Sequence, residues 1–279
     1  MDIATPETRR LGWARTLSTI IAILAVVASL GGLLIHGLYR GDPAWLPFAV
    51  GNDLVTLVLA VPIFIAALIL SRRGSERWNL LWLGTLYYML YNFAYYVFGA
   101  PVNKLFLVYL GLFTLPAFAL VFGLTSLHVV GLSRKFRAKT PVKWVSAYML
   151  LWAALVGGTW ISQWLRYVVT GRIPQVNGSE NAYKLIAAVD LSMLVAVLAP
   201  AAIWLWKRRP WGYVLAIVIN VQGALYTTVL AAGSIASARA GIPGSLVMLP
   251  VWIGFCVGSL ACLVAMLVNL EPAREGKPL

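Results

Sequence analysis

Residues 51–73, GNDLVTLVLAVPIFIAALILSRR, decide the fold. The stretch starts with an acid, runs through apolar residues and ends on an arginine pair. A run of about twenty apolar residues crosses the roughly 30 Å hydrocarbon core of a bilayer as a helix. The same layout returns at 188–209, AVDLSMLVAVLAPAAIWLWKRR. Asp53-Leu54 answers to Asp190-Leu191, Leu57 to Leu194, Pro62 to Pro200, and Arg72-Arg73 to Arg208-Arg209. The pair predicts a duplicated membrane unit.

Composition agrees with that reading. The chain has 279 residues, 61% hydrophobic and only 11% charged, which leaves no polar stretch long enough for a separate soluble domain. Backbone groups in lipid must be satisfied internally, so helices are expected. No alternating ten-residue pattern points to a barrel. The net charge of +13 would suit a nucleic-acid partner. The basic residues instead gather at alternate helix ends, a membrane-topology signal, so no nucleic acid is expected and lipid is the surrounding partner.

Eight spans are predicted, near 16–38, 51–73, 79–98, 105–130, 144–167, 188–209, 211–236 and 246–270. The alternation puts 16 Lys and Arg on one side and 6 on the other, which predicts both termini in the cytoplasm of an integral plasma-membrane protein. The fold class expected is all-α, with a first four-helix repeat at 1–138 and a second at 139–279. Gly31-Gly32, Ile35 and Arg40 recur at the same spacing as Gly157-Gly158, Ile161 and Arg166. Leu90-Tyr91 resembles Leu225-Tyr226, and Tyr109-Leu110-Gly111 resembles Trp252-Ile253-Gly254. Chance similarity between apolar helices is the competing explanation. Both halves start on the same side, so the repeats are parallel about an axis along the membrane normal.

Polar residues inside spans are the functional candidates. Asp53 lies 19 residues before Arg72, about 28 Å of helix, and Asp190 lies 17 before Lys207, about 26 Å, so both fall near the outer boundary. Capping a helix start is one role for each; ligand contact is the other. Tyr88, Tyr91, Asn92 and Tyr95 share one face of the third span, by helical spacing. Gln222 and Tyr226 share a face of the seventh, and Gln163 and Arg166 end the fifth. Together they predict an outward-facing polar, aromatic pocket between the halves; scattered interhelical hydrogen bonds are the plainer account.

Three functions follow. The first is binding, or transport, of a small or amphiphilic ligand at these residues. The second is catalysis on an isoprenoid or lipid, with Asp190 or Asp53 as the acid. The third is a structural or accessory membrane subunit. His36 and His128 stand at opposite sides, so no metal or haem site is expected, and no nucleotide or cofactor fingerprint is present. Cys256 and Cys262 are six residues apart in one span and cannot bridge. Asn177-Gly178-Ser179 is a glycosylation sequon on the outer side.

Overall fold

The computed structural model describes residues 5–39, 45–176 and 178–271, apart from the Trp45 side chain. Arg40 and Asn177 lie outside the described residues. Every regular element among those described is helical. In order they are α1 (Pro6–Leu34), α2 (Trp45–Val55), α3 (Val61–Ser71), α4 (Glu76–Phe98), α5 (Phe106–Thr125) and the short α6 (Val129–Arg134). Then come α7 (Val142–Thr170), α8 (Glu180–Val189), α9 (Ala196–Trp206), α10 (Pro210–Arg239) and α11 (Leu249–Val268). A π-helical segment, Thr56–Ala60, fuses α2 and α3 into one rod; another, Asp190–Val195, fuses α8 and α9.

Seven stretches are long and apolar enough to cross a membrane: Pro6–Leu34, Leu46–Ser71, Phe106–Thr125, Val142–Thr170, Glu180–Trp206, Pro210–Arg239 and Leu249–Val268. The chain is thus a helical, multi-pass membrane protein. Of the eight spans expected, α4 is the one outside this set. Its 23 residues are long enough, but the run LYYMLYNFAYYVF makes it less apolar. The reason is its position. It is buried along most of its length, so neighbouring helices rather than lipid meet its side chains.

Two boundaries differ from expectation, and both matter. The segment 45–50 is helical rather than loop, with Pro47 in the first turn, where the missing N–H is harmless. Ser179 caps α8, its Oγ accepting from Ala182 N–H at 3.2 Å. Asp53 therefore lies eight residues, about 12 Å, beyond Trp45, and Asp190 ten residues, about 15 Å, beyond Glu180. Neither aspartate can cap a helix start, so the capping role is overturned for both. The expected fourth span also breaks, at Ser126–His128, where Thr125 and Ser126 hydroxyls take the carbonyls of Val121 and Gly123.

Each π segment accompanies an aspartate and a proline. Val61 N–H bonds Thr56 O and Ala196 N–H bonds Leu191 O, each one residue longer than the α pattern. Pro62 and Pro200 follow, and each lacks an N–H to continue the regular ladder. The extra residue rotates the faces of the rod on either side of it.

The helix α10 is the hub, packing against α2, α4, α9 and α11. At Gly51 and Gly233 the α2 and α10 backbones nearly touch; a Cβ on Gly51 would lie 2.8 Å from Gly233 Cα. Small residues permit such crossings in membranes. By contrast, a Cβ on Gly158 would meet nothing within 4 Å. Gly51→Val is expected to lower stability by about 1–3 kcal/mol through overpacking, while Gly158→Ala stays near neutral. Thermal unfolding of both variants in one detergent checks the difference.

Candidate functional site

Two carboxylates and the aromatic hydroxyls that cage them form the site. Asp53 is 2% exposed. Tyr39 OH donates to its Oδ2 at 2.6 Å, and Tyr96 OH to its Oδ1 at 2.8 Å. Tyr109 OH lies 3.3 Å from Tyr39 OH. With the Tyr39 proton directed to Asp53, Tyr109 is the donor of that pair. The glycine at 32 makes the cage possible, since a Cβ there would sit 1.8 Å from Asp53 Oδ2 and 2.5 Å from Tyr39 OH.

Asp190, in the second π segment, is only partly buried. Tyr95 OH donates to Oδ1 at 2.8 Å, Tyr91 OH donates to the same oxygen, and Trp160 Nε1–H donates to Oδ2 at 2.8 Å. Tyr226 completes the surround. Its ring stacks on Tyr95 at 5.6 Å between centroids and meets Tyr91 edge-on at 4.7 Å. Trp160 is itself held, for Tyr183 packs edge-on against it at 5.7 Å and donates to its carbonyl at 3.1 Å.

The two cages use one helix. Tyr95 and Tyr96 are neighbours on α4, about 100° apart around its axis, and so serve Asp190 and Asp53 on different faces. Between them runs a neutral chain. Tyr88 OH pairs with Thr56 Oγ1 at 2.8 Å, Thr56 donates to Asn52 Oδ1 at 3.1 Å, and Asn52 Nδ2 donates to Asn92 Oδ1 at 2.9 Å. Asn92 Nδ2 and Gln222 Oε1 are buried without a hydrogen-bond partner among the described residues.

Of the residues singled out in the sequence, Tyr91, Tyr95 and Tyr226 converge on Asp190, and Tyr88 and Asn92 on the neutral chain. Gln222 is buried on α10. Gln163 and Arg166 lie nearer the end of α7, Arg166 exposed, and no hydrogen bond of theirs reaches either carboxylate. The outward-facing polar, aromatic pocket expected between the halves does not open at four buried residues. Asn92, Gln222, Tyr88 and Asp53 are at most 2% exposed, because rings and paired amides fill the space. Two concavities on the surface lie away from these residues, one of about 440 Å³ beside His36 and Lys104 and one beside Trp204 and Trp211.

Tyr39, Asn52 and Thr56 escaped the sequence reading. Asn52 and Thr56 carry a signal, being i, i+4 polar neighbours on one helical face. Tyr39 lies in the turn after α1, where no periodicity points at a partner.

The second cage is also the more open. Around Asp53, α1 packs along α5, and a Cβ on Gly31 would meet Leu105 Cδ1 at 2.5 Å. The helices α7 and α11 meet chiefly where Tyr148 OH donates to Phe255 O at 2.8 Å and Trp152 stacks on Phe255 at 5.1 Å. Beyond that contact, a Cβ on Gly158 or Gly254 would meet open space. No lysine, arginine or histidine among the described residues pairs with either aspartate; the ion pairs seen are Lys135–Glu76 and Arg137–Glu271. Among the described residues no group of His, Cys, Asp and Glu is placed to hold a metal.

No protein-family model, curated protein or solved structure matches this chain.

Removing a donor from the sealed cage leaves a buried carboxylate under-bonded. Tyr96→Phe is expected to destabilise by about 1–3 kcal/mol. Tyr95→Phe costs less, since Tyr91 and Trp160 still hold Asp190. Unfolding midpoints of the two variants in one detergent check the order.

Proposed function

We propose that the protein has eight spans in two parallel four-helix repeats, with both termini in the cytoplasm, α4 being the eighth span. We further propose that it binds, and as a carrier moves, an amphiphile bearing a cationic amine. The amine docks on Asp190, and the apolar tail lies in the outer half between α7 and α11. The paired aspartates, prolines and π segments support the repeat. The basic loops support the orientation.

One observation carries the ligand assignment. Asp190 is a partly buried residue whose carboxylate is ringed by Tyr91, Tyr95, Tyr226 and Trp160, with no cationic partner among the described residues. A carboxylate among aromatic faces attracts an ammonium both by charge and by cation–π contact. The gap between α7 and α11 supplies a lateral way in that does not require an aqueous chamber. Asp53, sealed by Tyr39, Tyr96 and Gly32, is on this reading the closed counterpart that holds the first half together. Gln163 and Arg166, further out on α7, flank the entrance rather than the cage.

The probe is radiolabelled dodecylamine, with dodecanol as the neutral comparison. In nanodiscs carrying the full chain, saturable dodecylamine binding is expected, weakened about tenfold by Asp190→Asn. Dodecanol should bind weakly and be indifferent to that substitution. Equal binding of amine and alcohol, or an unchanged affinity in the variant, rejects the assignment. Vesicles in which binding persists without amine flux reject the carrier part alone.

A further inference from the structure

The basic side of the bundle has a feature unrelated to the carboxylates. A concavity of about 280 Å³ lies between α6 and the start of α10, lined by Val129, Val130, Trp204, Arg209, Pro210 and Trp211. Its lining is almost wholly apolar, with Arg209 the one charged residue in it. Val130 is 50% exposed and Trp211 40%, so the floor and one wall are accessible.

The fold assembles this place from two basic segments distant in sequence, RKFRAKTPVK at 134–143 and KRR at 207–209. Phe136 packs on Tyr213 at 4.6 Å, and the Arg208 guanidinium reaches Ala138 O at 3.4 Å. Arg208 has φ 53, a left-handed conformation usually given to glycine at a helix end. That turn brings Arg209 N–H onto Trp204 O at 2.8 Å and so sets Arg209 beside the indole. Neither segment contains an acid. Glu76 and Glu271 reach only Lys135 and Arg137. Arg134, Lys139, Lys143, Lys207 and Arg209 have no acidic partner within ion-pair distance among the described residues.

We propose that this concavity is a binding site for an anionic phospholipid. Arg209 takes the phosphate in charge-assisted hydrogen bonds, and the surrounding unpaired cations attract the headgroup. The first acyl carbons lie over Val129 and Val130, between the two indoles, which suit the boundary between headgroups and hydrocarbon. The two sequence segments supply charge, and the packed helices supply the apolar floor. Its assignment to the cytoplasmic leaflet rests on the topology proposed above; its lipid chemistry does not.

The test is native mass spectrometry of the full chain in detergent, given equal amounts of dioleoyl-phosphatidylglycerol and dioleoyl-phosphatidylcholine. Selective retention of the glycerol lipid is expected, with Arg209→Gln lowering its bound fraction about tenfold. Val130→Trp fills the concavity without touching a charge and should lower retention as well. Retention at wild-type level in either variant, or equal retention of the zwitterionic lipid, overturns the site. The leaflet is tested apart. A K139C variant in a C256S/C262S background is exposed to a membrane-impermeant maleimide on right-side-out vesicles. Protection there supports the cytoplasmic leaflet; labelling from outside overturns it and the topology, while leaving the lipid selectivity in detergent standing.

Discussion

A carboxylate within a membrane needs hydrogen-bond donors, and one helix, α4, brings phenols to two of them. Tyr96 turns to Asp53; Tyr91 and Tyr95 turn to Asp190. Placing an acid at the centre of a bilayer costs about 2.5–3.5 kcal/mol on insertion scales, and donors offset that cost. Because the two acids sit on different rods, α4 has to run between them. That requirement buries it, and burial in turn frees it from the apolar composition that lipid contact imposes on the other long helices.

The two rods that carry the aspartates share a design. Each has an acid, a π segment and a proline in that order, and each ends at a basic turn. What surrounds them differs. Gly32 lets α1 close on Asp53, and α1 seals against α5. On α7, Val195 lies at ordinary distance from Gly157 and nothing lies near Gly158. Asp190 is thus left partly exposed where Asp53 is enclosed. Near-equal sequence patterns have yielded one structural cage and one accessible one. The difference arises in the neighbouring helices rather than in the rods themselves.

The opposite end of the bundle is organised by backbone termini rather than buried acids. Arg77 donates to Leu270 O, Lys135 pairs with Glu76, and Arg137 N–H donates to Asn269 O. These contacts tie the start of α4 and the loop after α6 to one another and to the end of α11. They consume part of the basic charge, and the remainder is left facing outward around an apolar hollow.

A helical, multi-pass membrane architecture follows from the sequence alone, because it depends on apolar length. The aspartates were legible as candidates for the same reason, and Tyr91, Tyr95 and Asn92 through helical spacing. Their partners were not. Tyr39 comes from a turn, and Asn52, beside Asp53 in sequence, bonds Asn92 instead. Whether a polar layer encloses water or fills itself depends on how rings from several helices interlock, and no local pattern encodes that. The sequence by itself determined a helical membrane protein with two acid-bearing rods; only the tertiary structure decided which acid is sealed and which is open, since that turns on the distance between helices far apart in the chain.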